Sequence, residues 1–297
     1  MDITVALGGG GAKGNAHIGV LRQLEKEGFH IRAVAGTSYG GLIAVFYALG
    51  YSPDEIEELF ASSDQTQYYG HAPNDGPSLV GLAGVARLLE DKIGDCTFED
   101  LKIPCVLTAV DLKSGNEVLL SRGRVVDAML ATIAIPGIFP ARHIDDLELV
   151  DGGTLDPVPV LPARMLAPRL PVVAVVLTMP MGGPAQPWNI PFNRYWAGMI
   201  ISRLLSKMRY DTVWDVFSRS LDITARAMTQ YRLEIDRPDV IIRPQVYDID
   251  TLDIVDVREI ARRGEVAVES ALPHLRSLFT LRNRWRRSMG VYNQRSL

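Results

Sequence analysis

The sequence predicts an α/β fold, a layered and mostly parallel central sheet with helices on both faces. Three observations lead there. Short apolar runs recur at residues 3–7, 31–36, 104–110 and 172–178, each of strand length and bounded by Gly or Pro. They alternate with stretches of helical periodicity, the pattern of layered α/β proteins. Runs such as "VVAVVLT" at 172–178 are continuously apolar, as expected of parallel strands buried on both faces.

Taken in order, "ITVAL" (3–7) is a first strand, followed by a glycine cluster and a helix over 14–27. His17, Val20, Leu21 and Leu24 share one face of that helix, and Gly28 stops it. Residues 31–36 form the second strand. Residues 40–49 form an apolar helix closed by Gly50. Ser52-Pro53-Asp54-Glu55 opens the next helix, with Ser52 as N-cap, Pro53 in the first turn and Glu55 completing a capping box. Residues 62–78 are polar and rich in Gly and Pro, a long surface loop of the kind that serves as a lid or stays disordered. After the strand at 104–110, "DLKSGNEVLL" reads as a hairpin turned at Ser114-Gly115-Asn116. A helix over 124–133, a strand over 147–151 and the strand at 172–178 follow. Residues 180–193 are Pro- and Gly-rich, 194–234 helical with a break near Asp211-Thr212, 239–246 a strand and 255–271 a helix. The domain is expected over 1–271, with 180–235 as a variable helical segment and 272–297 as a basic tail.

Composition narrows the function classes. The 297 residues are 47% hydrophobic and 22% charged, an ordinary globular balance. A net charge of −4 argues against a nucleic-acid binder. Cys96 and Cys105 have no metal spacing and read as reduced thiols. The start "MDITVALGGGG" lacks the basic and apolar regions of a signal peptide, and no apolar run approaches the ~20 residues of a membrane span. The expectation is a cytoplasmic protein, soluble or peripheral on a membrane.

The chemistry gathers in three motifs. "GTSYGG" (36–41) places Ser38 in G-x-S-x-G directly after a strand, between Gly36 and Gly40, where a sharp turn can expose a nucleophile. "GGGGAKG" (8–14) satisfies G-x-G-x-x-G through Gly9, Gly11 and Gly14. A dinucleotide site would need a carboxylate ending the second strand, and a P-loop would need Gly-Lys-Ser/Thr; neither is present. Free N–H groups at the start of a helix suit an oxyanion instead. "LVDGG" (149–153) puts Asp151 at a strand end before Gly152 and Gly153, either as a presented carboxylate or as a common Asp-Gly turn. A Ser–His–Asp arrangement would draw on His71, His143 or His274, none of them locally marked, while His17 reads as structural.

Together and in this order, the three motifs resemble the patatin-like phospholipase family of lipid acyl hydrolases. The resemblance extends to "GNAHIGVLRQLEKEG", "DLKSGNEVLLSRG", "ATIAIPGIFPA" and "PDVIIRPQV…REIARRGEVAVES", covering most of residues 3–271. It implies a Ser–Asp dyad without histidine: Ser38 as nucleophile, Asp151 as base, and Gly9, Gly10 and Gly11 as the oxyanion loop, with the Tyr39 N–H as a further donor. Gly8 stands where plant members carry Asp, and Thr132 where a serine is frequent. Residues 62–78 and 180–235 match weakly. No metal or cofactor is implied.

An aspartate of ordinary pKa, ~3.9, is a weak base for a serine, so an apolar pocket must raise it. Pro136, Ile138 and Phe139, with Ile135, are candidate walls and substrate contacts. Lys13 is open to two roles, steering an anionic head group or lying solvated on the surface. The tail 280–297, with five arginines, Trp285 and Tyr292, is a candidate for peripheral lipid contact, a self-association element of a homo-oligomer, or a solvated tail. "PWNIPFNRYWAGMIISRLL" (187–205) reads as an interfacial segment, an acyl cap, or a core or dimer helix. The expected partner is a lipid ester. A catalytically weak lipid-binding or scaffolding protein of the same fold, and a conventional Ser–His–Asp carboxylesterase, are the alternatives.

Overall fold

The computed structural model describes residues 1–73, 75–183 and 210–280; the segment 187–205 and all but the first residue of the tail 280–297 lie outside them. Eight strands form a single sheet: β1 (Asp2–Leu7), β2 (His30–Gly36), β3 (Cys105–Asp111), β4 (Glu117–Leu120), β5 (Arg142–Ile144), β6 (Leu147–Asp151), β7 (Val172–Val175) and β8 (Val240–Ile242). Its order is β5-β6-β3-β2-β1-β7-β8, with β4 attached to β3. The pairings β3-β2-β1-β7-β8 are parallel, while β4, β5 and β6 run antiparallel to their partners.

Helices cover both faces. Among the described residues these are α1 (Ala16–Lys26), α2 (Tyr39–Leu49), α3 (Pro53–Ser62), α4 (Ala83–Ile93), α5 (Val125–Thr132), α6 (Val160–Leu166), α7 (Tyr210–Asp236) and α8 (Val257–Ser277). Alternation along the strands sorts the core in two. Ile3, Val5, Leu7, Val34, Leu107, Val173 and Val175 face α1–α5 and α8. Ala6, Ala35, Val106, Val172 and Ala174 face α6, and Leu233 of α7 packs on the same cluster.

Local chemistry accounts for most boundaries. Ser52 caps α3 in a capping box closed by Glu55. Asp256 caps α8 by accepting from the N–H groups of Arg258 and Glu259. That helix outruns its expected end and contains Pro273; Leu275 and Leu278 are buried beyond it and hold the last turn on the core. The expected break near Asp211-Thr212 falls beside the first residue of α7, Tyr210, and the residues before it lie outside the described ones. Two helices lie outside the elements expected from the sequence. The N-cap position of α4 is Leu82, which makes no side-chain cap, and α6 is a short helix holding Pro162 just after Pro157 and Pro159. The segment 62–78 is fastened down. Both backbone groups of Val255 bond the Gln65 amide, and Gly70 pairs with Leu82.

Helices α1 and α8 pack backbone to backbone through glycines. A Cβ on Gly19 would overlap the carbonyl of Ala261, and one on Gly264 the carbonyl of Ala16. Helix propensity alone makes Gly19→Ala stabilising by up to ~1 kcal/mol. Here it is expected to destabilise by roughly 1–3 kcal/mol through overpacking, read as a lower urea midpoint.

Candidate active site

The register of β3 brings the serine and the aspartate together. Gly36, at the end of β2, lies level with Leu107. Asp151, at the end of β6, lies level with Ala109. The two strands run in opposite directions along β3 and finish two residues apart, so the turns beyond them meet. Ser38 opens the turn into α2 with φ 55° and ψ −132°, a conformation a non-glycine residue holds only under constraint. Gly40 lets that turn pass over β1, since a Cβ there would strike the carbonyls of Leu7 and Gly8. Ser38 and Asp151 are both buried, at 7% and 5% exposure.

Asp151 carries the main electrostatic feature. Burial pushes its pKa up to about 6, against hydrogen bonds from Ser38 and from the Gly153 N–H that lower it. The Gly153 N–H donates to Oδ1 at 2.7 Å. No charged side chain contributes to the shift. His17 lies under the glycine loop, fully buried, with Nε2 2.7 Å from the Gly8 carbonyl. Burial takes its pKa down to about 4, so the neutral ring donates to that carbonyl and fixes the loop.

The glycine loop is pinned on three sides. Gly8 N–H donates to Val175, Gly9 N–H to Pro157 and Ala12 N–H to Thr251. Gly9 is therefore removed from the expected oxyanion donors, because its N–H is committed to the loop that follows Asp151. Among the described residues, the N–H groups of Gly10, Gly11 and Tyr39 have no protein acceptor. Gly9 itself lies against the Ser38 side chain. Gly14 makes room for the Tyr39 ring and Gly152 for Thr108; the Tyr39 hydroxyl donates to Asn15.

An apolar cavity opens from Ser38. Its walls include Tyr39, Leu42, Phe60, Tyr68, Tyr69, Leu82, Leu89, Ile135 and Phe139, with Thr251–Ile254 at one side. It is narrow, about 80 Å³, room for a handful of water molecules. Tyr69 stacks on Phe139 at 5.8 Å. Of the expected walls and substrate contacts, Ile135 and Phe139 line it. Ile138 is fully buried in the core. Pro136 points into a separate cleft with Arg142 and Glu148, because successive residues of the 135–140 turn face opposite ways. Lys13 does not reach the cavity either; its charge sits among Asp222, Asp250 and Asp253, so protein carboxylates occupy the place of an anionic head group. The walls from 65–69 fall in the loop expected as a lid, whereas those from α4 carry no sequence expectation.

No histidine lines the cavity. His71 lies beside Ser78, His143 on β5 and His274 on α8. Ser38 and Asp151 thus meet without a histidine beside them. Residues 5–164 match the family model described as patatin-like phospholipase, and the chain belongs to that family. It is similar to an uncharacterized NTE family protein of Mycobacterium tuberculosis, 35% identical over 187 residues, which are 62% of this chain and 51% of the relative. A second such protein of that organism is 28% identical over 91% of this chain and 46% of its own length. A lysophospholipase of Eremothecium gossypii is 24% identical over 88% of this chain and 18% of its own length. The chain thus spans about half or less of the curated relatives it matches. The crystal structure of VipD from Legionella pneumophila shares the fold, with a TM-score of 0.53 at 12% identity over 93% of this chain and 66% of that one. Among the described residues, no helix is long and apolar enough to cross a membrane.

Burying Asp151 has a cost with a defined pH dependence. Its folded pKa lies above the unfolded value, so its favourable contribution is complete below pH 3.8 and is lost as pH rises through about 6. Asp151→Asn removes this titration. Its stability relative to wild type is expected to rise by about 2–3 kcal/mol between pH 4 and pH 8. Urea unfolding across that range checks it, and a pH-independent difference would contradict it.

Proposed function

We propose that the protein is a serine acyl hydrolase that cleaves carboxylic esters of phospholipids or lysophospholipids, through an acyl-enzyme on Ser38 with Asp151 as the base. One observation carries this reading: Ser38 bonds to a buried carboxylate whose pKa is raised to about 6, at the head of an apolar cavity. Membership of the family and the similarity to a lysophospholipase support the substrate class.

Asp151 takes the hydroxyl proton as Ser38 Oγ attacks the ester carbonyl. At neutral pH a carboxylate with a pKa near 6 is ionised, yet it is a far stronger base than an ordinary aspartate. The tetrahedral oxyanion faces the free N–H groups of Gly10 and Gly11, with Tyr39 N–H nearby; removal of one such donor typically costs ~10²–10³ in rate. Collapse breaks the bond to the alcohol, which leaves with the proton from Asp151. Water then attacks the acyl-enzyme, gives its proton to Asp151 and releases the fatty acid, and Ser38 recovers the proton. The aromatic walls around Tyr69 and Phe139 hold the acyl chain.

Release of fatty acid from lysophospholipid and phospholipid micelles tests the reading. Ser38→Ala and Asp151→Asn are each expected to lose at least ~10³ in kcat, whereas changes at His71, His143 or His274 leave it near wild type. In wild type, kcat/KM is expected to fall below a pKa of about 6, where Asp151 takes up a proton. Full activity in either dyad variant, or loss on changing one of those histidines, would overturn it.

A further inference from the structure

Three buried threonines outside the proposed dyad join its two halves. Thr37, Thr108 and Thr132 are each fully buried. Thr132 Oγ1, on α5, accepts the backbone N–H of Ser38 at 2.9 Å and lies 2.7 Å from the Thr108 carbonyl. Thr37 Oγ1 lies 2.7 Å from Thr108 Oγ1 and 2.9 Å from the carbonyl of Asp156. A hydroxyl has one proton, and each carbonyl can only accept. The directions are therefore fixed. Thr132 donates to the Thr108 carbonyl, Thr37 donates to the Asp156 carbonyl, and Thr108 donates to Thr37. With its proton committed, Thr132 presents a lone pair to Ser38 N–H.

The circuit adds side-chain bonds to the strand pairings that join the two turns. Thr108 stands between the β3 residues level with Gly36 and with Asp151. The Asp156 N–H bonds the Gly152 carbonyl, so the bond from Thr37 reaches the turn that carries Asp151. Thr132 holds the N–H of a residue with a positive φ, a group that would otherwise be buried unpaired.

We infer that Thr132 is a positioning residue for the reaction proposed above: its hydroxyl sets the backbone of Ser38 so that Oγ stays on Asp151, and Thr108 with Thr37 keeps that setting in step with the Asp151 turn. The inference rests on the Ser38–Asp151 reading, and its test separates the two. Thr132→Val keeps the shape and removes the hydroxyl, Thr132→Ala removes it without branching, and Thr132→Ser restores it. A displacement of about 1 Å at the reacting atom costs on the order of 10² in rate. Val and Ala are therefore expected to lower kcat by about that factor with KM little changed, and Ser to recover most of it. Asp151 would lose the hydrogen bond from Ser38, so the acid limb of the pH profile is expected to move upward in Val and Ala and to return in Ser. With no charged side chain contributing at Asp151, the hydrogen bonds from Ser38 and the Gly153 N–H are what oppose the effect of burial, so losing the first moves the limb.

The labelling rate of Ser38 by a fluorophosphonate, measured on variants whose folding is checked by circular dichroism, reads the same setting without a lipid substrate. Slow labelling of Val and Ala, with rescue by Ser, supports the inference even if wild type turns over no lipid, an outcome that would sink only the substrate assignment. If Val does not fold, the Ala and Ser pair decides. Wild-type kcat and labelling in Ala, an unmoved acid limb, or a loss that Ser does not rescue overturns the inference. A wild-type Ser38 that neither labels nor turns over ester overturns both.

Discussion

A buried carboxylate without a cation is the constraint around which this molecule is arranged. Asp151 is held by one hydroxyl and one amide N–H in apolar surroundings. A nearby cation would stabilise its charge and make it a weaker base. The cations of the neighbourhood are committed elsewhere. Lys13 sits among three aspartates. Arg232 of α7 binds Asp156 at 2.7 Å, with Glu117 and Asp236 beside it. His17, the buried histidine under the glycine loop, is kept neutral by its burial. The shift at Asp151 therefore depends as much on where the positive charges are anchored as on the apolar walls.

The two faces of the sheet divide the work of holding this arrangement. On the face of α1–α5 and α8, bulky aliphatic and aromatic side chains give packing depth. On the other face the strands offer small residues, Ala6, Ala35 and Ala174, which bring α6 close. There α7 reaches the turn after Asp151 through Arg232 and Asp156. Burial pushes the Asp156 carboxyl up, and Arg232 pulls it back. Such a pair contributes little net stability, since desolvation opposes the attraction. It fixes direction instead, because losing one partner would leave the other charge buried and unpaired.

What the sequence disclosed follows from where the backbone has special needs. The glycine loop, the elbow at Ser38 and the Asp151 turn each demand glycines at fixed offsets, so they stand out in a single chain. The parallel strands were legible because burial on both faces makes them continuously apolar. The cavity was not legible. Its walls are ordinary apolar residues of α4, 65–69 and 249–257, brought to Ser38 by topology and unmarked by spacing. The turn at 135–140 shows the limit most sharply: the right segment was identified, but which side chains faced the cavity depended on a backbone path that periodicity does not encode. Helix α6 is short and bracketed by prolines, α4 has apolar residues at helical spacing but no marked start, and α8 outran its expected end because packing on the core outweighed Pro273.

Much of the cavity wall comes from segments other than those that build the chemistry, although Gly11, Ser38, Tyr39 and Leu42 belong to both. Ser38, Asp151 and the glycine loop sit at strand ends fixed by sheet register and by the threonine bonds. Phe60, Tyr68, Tyr69 and Leu89 come from a stretch tied down by packing, by Gln65 to Val255 and by the N–H groups of Leu79 and Val80 to Gly137 and Ile138. Under the reaction proposed above, residues 60–89 are the natural place to reshape the wall for a different acyl group, because Ser38 and Asp151 are held by other segments.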